Sequence, residues 1–184
     1  GSIDGTLNKI GRFQKESDIP LKLYKNPWPN DFSIQRNISF QYCTGDWIIR
    51  LDSDEVFGIH LRSAIQQFLR ELPDECLSVR IRQNNLIDND LNYAANLGGW
   101  ETHPRIFRKS DELIWTGQVH EWVPNVSNKC TDWNVSVIHF GWIDKEKLQE
   151  KEKKYINIPG SGFESEGSLT GRYYESRKLP KGIV

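Results

Sequence analysis

Three acids in four residues, Asp52, Asp54 and Glu55, close an apolar run that begins at Trp47. A short apolar run bounded by a turn former such as Gly45 reads as a buried strand. In open α/β sheets, ligands sit beyond the carboxyl ends of such strands. Asp52 and Asp54 are two apart and project to one side of an extended chain. Like charges held that close repel unless one takes a proton or a cation lies between them. A hard divalent ion completed by substrate phosphates satisfies that arrangement, and so does a strand that simply ends in a solvated acidic turn.

The neighbouring elements must position these acids. Residues 1–6 form a turn that feeds a helix, with Asp4 or Thr6 as N-cap and Leu7 and Ile10 facing inward. A short strand is expected at 21–24, before the breakers Pro27 and Pro29. Helix 33–43 turns Ile34 and Ile38 inward, carries Arg36 and Asn37, and is closed by Gly45. Leu61, Ala64, Ile65, Phe68, Leu69 and Leu72 recur at helical spacing up to Pro73. Leu77, Val79 and Ile81 alternate with polar residues as a half-exposed strand. Residues 83–99 read as a long polar loop, whose end brings Trp100, Glu101 and His103 as candidates to line a binding site. Short strands follow at 105–107, 119–123 and 135–139, the last alternating Val135, Val137 and His139. The β–α alternation through residue 82 predicts an α/β fold of three layers with a mainly parallel sheet. Strand 46–51 lies at its centre, covered by helices 33–43 and 61–72.

A chain of 184 residues and 21.4 kDa is one domain with room for a core. Residues 1–143 are assigned to it, and 144–184 to a charged helix (145–154) and a Gly/Ser-rich tail. A net charge of −1 excludes a general nucleic-acid binder. No apolar run approaches the roughly 18 residues of a membrane span; peripheral membrane association stays open. Cys43, Cys76 and Cys130 lack metal-ligand spacing and read as reduced thiols, which predicts a cytoplasmic location. The chain has no Met and opens inside a motif, so it is expected to be part of a longer protein.

Four segments stand in order: Gly1-Ser2-Ile3-Asp4-Gly5-Thr6; Trp28-Pro29-Asn30-Asp31-Phe32 with Gln35-Arg36-Asn37; Gly45-Asp46-Trp47 through Leu51-Asp52-Ser53-Asp54-Glu55; and Arg105-Ile106-Phe107-Arg108 with Gly117-Gln118-Val119-His120-Glu121. Together they resemble family 2 glycosyltransferases of the GT-A fold, especially the bacterial branch that builds lipopolysaccharide core and other surface glycans. The resemblance covers residues 1 to about 142 and implies a GT-A (Rossmann-like) domain whose first strands lie before Gly1, so that the chain is N-terminally incomplete. It implies a nucleotide-sugar donor, a UDP-sugar first among them, and a glycan or glycolipid acceptor. The cofactor it implies is Mn²⁺ or Mg²⁺.

The same resemblance assigns Asp52 to the nucleotide and Asp54 to the metal, with His139 as a further ligand or equally a satisfied buried histidine, and Asp4 on the nucleotide side. Arg36 reaches the diphosphate or base, or is a surface charge of its helix. Glu121, flanked by Trp115 and Trp122, is the candidate catalytic base on the acceptor side, with Glu101 next in line. As a structural group it would pair with Arg105 or Arg108. His120 would face the other way if 119–123 is a strand. Glu55 braces the acidic turn.

The chemistry fits independently of the family. Glycosyl transfer needs its diphosphate leaving group neutralised, which a metal does as a Lewis acid, and a base for the acceptor proton. The competing readings are a nucleotide- or carbohydrate-binding module without turnover, a calcium-binding loop and a two-carboxylate glycosidase. The calcium loop fails because Val56 occupies the next ligand position and no Glu stands at the twelfth. The glycosidase reading is weakened because its pair must flank a bond, whereas these acids cluster at a strand end.

Overall fold

The computed structural model describes residues 3–90, 93–95, 102–126, 129–156 and 176–179. Helix α1 (Thr6–Glu16) opens the described chain and buries none of its side chains. Helix α2 (Phe32–Gln41) starts where Asp31 accepts a hydrogen bond from the Ile34 amide at 3.0 Å, an N-cap that satisfies one orphan donor of the first turn. Strand β1 (Trp47–Ile49), the acidic turn, strand β2 (Glu55–Phe57) and helix α3 (Ile59–Glu71) follow. Then come β3 (Ser78–Asn85), β4 (Tyr93–Ala95), β5 (Thr102–Arg108), β6 (Cys130–His139), α4 (Lys145–Ile156) and β7 (Ser176–Lys178).

The principal sheet has the order β1-β5-β3-β6-β2. Among the described strands only β3 and β6 pair in parallel; the β1–β5, β3–β5 and β2–β6 pairings are antiparallel. The sheet is therefore mixed and not mainly parallel, and strand 46–51 lies at an edge while β3 holds the centre. The reason is visible in the chain. A parallel neighbour needs a crossover, usually a helix, and no helix is described between β3 and β5, so β5 returns antiparallel. As the central strand, β3 is also more buried than its alternation suggests, since Ser78, Asn84 and Asn85 are buried beside Val79 and Ile81.

The layering matches expectation. Ile48, Phe107, Leu113, Trp115, Val123 and Val126 form a core on one sheet face, with Phe40 of α2 packed on it. Leu61, Val79, Ile81, Ile106 and Val137 fill the other face, against Ile65, Phe68 and Leu69 of α3. Adjacent residues Ile106 and Phe107 point into different cores, as the pleat requires.

Three expected elements differ. Residues 21–24 form no strand, and Tyr24 instead stacks on Tyr42 with ring centroids 3.6 Å apart. Residues 119–123 form a turn closed by a Thr116–Trp122 bridge, with Gly117 (φ 98°) and His120 (φ 54°) both left-handed. His120 and Glu121 therefore do not sit on opposite faces of a strand. The loop expected at 83–99 begins as β3 and contains β4, which pairs with β7 near the C-terminus. Leu179 is buried against Leu86, Ala94 and Ile138, so this part of the tail joins the core.

Candidate active site

The acidic turn crosses one end of the sheet. The Arg50 amide donates to the Arg105 carbonyl at 2.8 Å, and the Phe140 amide donates to the Asp54 carbonyl at 2.9 Å. Residues 50–54 are thereby strung from β5 to β6. Glu55 braces the turn as expected: its carboxylate accepts from the Asp52 amide at 2.9 Å, and it is buried.

Burying Glu55 needs a counter-charge, which Arg105 supplies. This guanidinium is 2 % exposed, donates to Glu55 and to Gln83, and lies 3.4 Å from Asp52. Burial pushes the Asp52 carboxyl up, but the fields of Arg50, Arg36 and Arg105 outweigh it and hold the group at about 2. Asp52 is thus an anion fixed by three cations.

Arg36 projects from α2 toward the same turn. Two bonds between Asn37 and the backbone of Trp115 tie the helix to the opposing loop: Nδ2 donates to the carbonyl at 3.0 Å, and Oδ1 accepts from the amide at 2.8 Å. The Arg36 Nη1 donates to Asp52 at 3.1 Å, while its Nε donates to Glu121. Arg36 is accordingly a half-buried bridge and not a surface charge of its helix. Glu121 pairs with Arg36 and, at 3.6 Å, with Arg50. The expected partners are engaged elsewhere; Arg108 donates to the carbonyls of Cys76 and Pro73 at 3.1 and 3.0 Å. Arg36 and Arg50 both lie over the Trp115 ring, at 5.4 and 5.3 Å from its centroid. Burial, then the neighbouring Arg105 and Arg36, push Arg50 down to about 9.

Asp54 and His139 meet on the far side of the turn. The β2–β6 register sets Glu55 opposite His139, which brings the His139 Nε2 within 3.2 Å of an Asp54 oxygen. The other ring nitrogen, Nδ1, lies 2.5 Å from the Asn85 Oδ1. That oxygen also accepts from the Gln83 amide at 2.7 Å, which fixes the Asn85 orientation. The Gln83 amide nitrogen also lies 3.3 Å from Nδ1, but the Asn85 acceptor is nearer and favours the hydrogen on Nδ1, the tautomer in which Nε2 presents its lone pair to the Asp54 carboxylate. An imidazole lone pair and a carboxylate 3.2 Å apart are what a shared cation relieves. Gly141 leaves the space for it, because a Cβ there would fall 2.6 Å from His139 Nε2 and 2.7 Å from Asp54 Oδ2.

These residues fit a divalent ion. One carboxylate and one neutral imidazole, oriented by a second amide, form a partial ligand set that substrate oxygens complete. Among the described residues no group of three or more His, Cys, Asp or Glu side chains converges.

Two cavities open on this constellation. The smaller, about 380 Å³, is lined by Trp28, Gln35, Ser53 and Asp54 among others. The larger, about 670 Å³, includes Arg50, Trp115, Glu121 and Trp122. Arg36, Asp52 and His139 line both.

The fold thus gathers Arg36, Asp52, Asp54, Glu121 and His139. Asp4 lies apart: its side chain accepts from the Thr6 amide at 3.1 Å and hydroxyl at 2.6 Å, bracing the start of α1, and it lines neither cavity. His103 lines the larger cavity, while Trp100 and Glu101 fall outside the described residues. Sequence reasoning missed Arg50, Arg105, Gln83, Asn85 and Gly141. The first two had a signal, since each is a lone charge against apolar strand residues (Ile48-Ile49-Arg50-Leu51 and Arg105-Ile106-Phe107) and needs a partner there.

Comparison with known proteins adds an independent finding. The chain is 28% identical over 145 residues to the SPbeta prophage-derived glycosyltransferase SunS of Bacillus subtilis strain 168, covering 77% of this chain and 32% of that protein. The glycosyltransferase SunS of Bacillus phage SPbeta matches at the same level. A TPR repeat-containing protein of Synechococcus elongatus is 25% identical over 147 residues, covering 73% of this chain and 34% of its own. The chain spans about a third of the length of these relatives. Residues 1–124, two-thirds of the chain, match the profile of glycosyl transferase family 2, and the chain belongs to that family.

Proposed function

We propose that this chain carries the catalytic site of a metal-dependent inverting glycosyltransferase. It passes a sugar from a nucleotide-sugar donor, a UDP-sugar first among them, to a hydroxyl of a glycan or lipid-linked acceptor in the cytoplasm. The observation that carries this reading is the convergence of Asp54 and His139 Nε2 at 3.2 Å over the bare Cα of Gly141. Asp54 and His139 would hold Mn²⁺ or Mg²⁺, which when bound neutralises the leaving diphosphate as a Lewis acid.

The protein's own groups do the rest. Asp52, fixed as an anion by its arginines, accepts hydrogen bonds from the donor's ribose in the smaller cavity. Arg36 offers its guanidinium to the phosphates. In the larger cavity, Trp122 is exposed and presents an apolar ring face to a sugar. Glu121 takes the acceptor proton as the new bond forms from the acceptor oxygen to the anomeric carbon. The bond from that carbon to the phosphate oxygen breaks, and its electron pair leaves with the diphosphate.

A binding module without turnover is the second reading, favoured by the two guanidiniums that engage Glu121. Incubation with a panel of nucleotide sugars, Mn²⁺ and simple acceptor glycosides separates the two. Release of nucleoside diphosphate by the protein, lost in Asp54→Ala, supports the transferase. Donor binding with no release under any of these conditions supports the module.

A further inference from the structure

Arg36 stands where the two cavities meet. Its Nε donates to Glu121, which lines the larger cavity, while Nη1 and Nη2 reach Asp52, which lines both, at 3.1 and 3.5 Å. The last contact is at the outer limit of a hydrogen bond, so that limb of the fork is weakly held. Arg36 and Arg50 converge on the same oxygen of Glu121, Oε1. Both guanidiniums therefore claim Oε1, and a hydroxyl that approaches this oxygen meets them first. If Arg36 departs, the 3.6 Å contact with Arg50 keeps the carboxylate in place and leaves Oε1 open on the side Arg36 held.

We infer that Arg36 is a positioning residue that couples the two cavities: nucleoside diphosphate entering the smaller cavity draws the Arg36 guanidinium off Glu121 and opens that carboxylate to the acceptor. The inference rests on the assignment of donor and acceptor cavities made above. A diphosphate carries more charge than a carboxylate and takes guanidinium in a bidentate fork, so it competes well for Arg36. Trp115, 5.4 Å from the Arg36 guanidinium, gives the side chain a fixed face to slide on. The consequence for turnover is that Oε1 of the base is freed from Arg36 once the donor is in place.

Coupling is reciprocal. If the donor takes Arg36 from Glu121, then removing the claim of Glu121 on Arg36 must tighten the donor. The test is calorimetric titration of UDP, in the presence of Mg²⁺, into wild type, Glu121→Gln, Arg36→Ala and the double variant. Glu121→Gln is expected to bind UDP on the order of fivefold tighter or more, and the double variant no tighter than Arg36→Ala. Arg36→Lys replaces Arg36→Ala if the latter does not fold, because an ammonium cannot fork between two carboxylates. The inference is overturned if Glu121→Gln binds UDP as wild type does or more weakly, or if its tightening survives loss of Arg36. The two layers fail separately. A wild type that binds none of UDP, GDP, CDP or TDP defeats the transferase reading and this inference with it, whereas binding without coupling defeats the inference alone.

Discussion

The Asn85 Oδ1 lies 2.5 Å from the His139 Nδ1, and this contact between the central strand and its parallel neighbour sets which nitrogen faces Asp54. Asn85→Ala leaves the imidazole free to turn and to change tautomer. Loss of such an orienting partner typically costs about 10–100-fold in metal affinity. Mn²⁺ titration in the presence of UDP is expected to show that loss with the melting curve little changed. Unaltered Mn²⁺ affinity would mean that His139 is not a ligand.

Gly141→Ala is expected to abolish the cation site from the opposite direction. The added Cβ would lie 2.6 Å from His139 Nε2 and 2.7 Å from Asp54 Oδ2, so both groups must move. We predict that Mn²⁺-dependent UDP binding is lost while near-ultraviolet circular dichroism keeps its folded signature. A variant that binds metal and UDP like wild type would place the ion elsewhere.

Arg105 is structural first, in our account. Its removal strands Glu55, which is 6 % exposed, without its counter-charge. Breaking a buried pair from one side costs about 3–5 kcal/mol. Urea unfolding of Arg105→Ala should show that loss, and Arg105→Ala combined with Glu55→Gln should recover part of it. Equal stability of the two variants would mean that the pair is not coupled.

Much of this was legible in the residues. The acidic turn at 52–55, the helices near 33–43 and 61–72, and their placement on opposite sheet faces follow from local period and capping, which a sequence displays directly. Strand direction does not, because alternation at 77–81 and 105–107 says strand without saying which neighbour it meets. The pairings of Arg36 with Glu121 and of Arg105 with Glu55 span 85 and 50 residues and exist only once the sheet has closed. The left-handed turn at Gly117 and His120 was hidden because apolar Val119, Trp122 and Val123 mimic a strand.

Glu121→Gln keeps the shape of the side chain and removes its basicity. Loss of a general base lowers turnover by about 10²–10⁴-fold, so sugar transfer measured with a saturating donor is expected to fall into that range. Donor affinity should not weaken. A variant with wild-type turnover would move the base to another acid, with Glu101 next to be tried.

The most direct measurement is Mn²⁺ binding followed with and without UDP, by loss of the free Mn²⁺ paramagnetic resonance signal, in wild type, Asp54→Ala and His139→Ala. Two protein ligands alone bind a hard cation weakly, and phosphate oxygens complete the set. Wild type is therefore predicted to bind Mn²⁺ weakly by itself and much more tightly with UDP, with that gain absent from both variants. An identical UDP-dependent gain in wild type and Asp54→Ala would contradict the account.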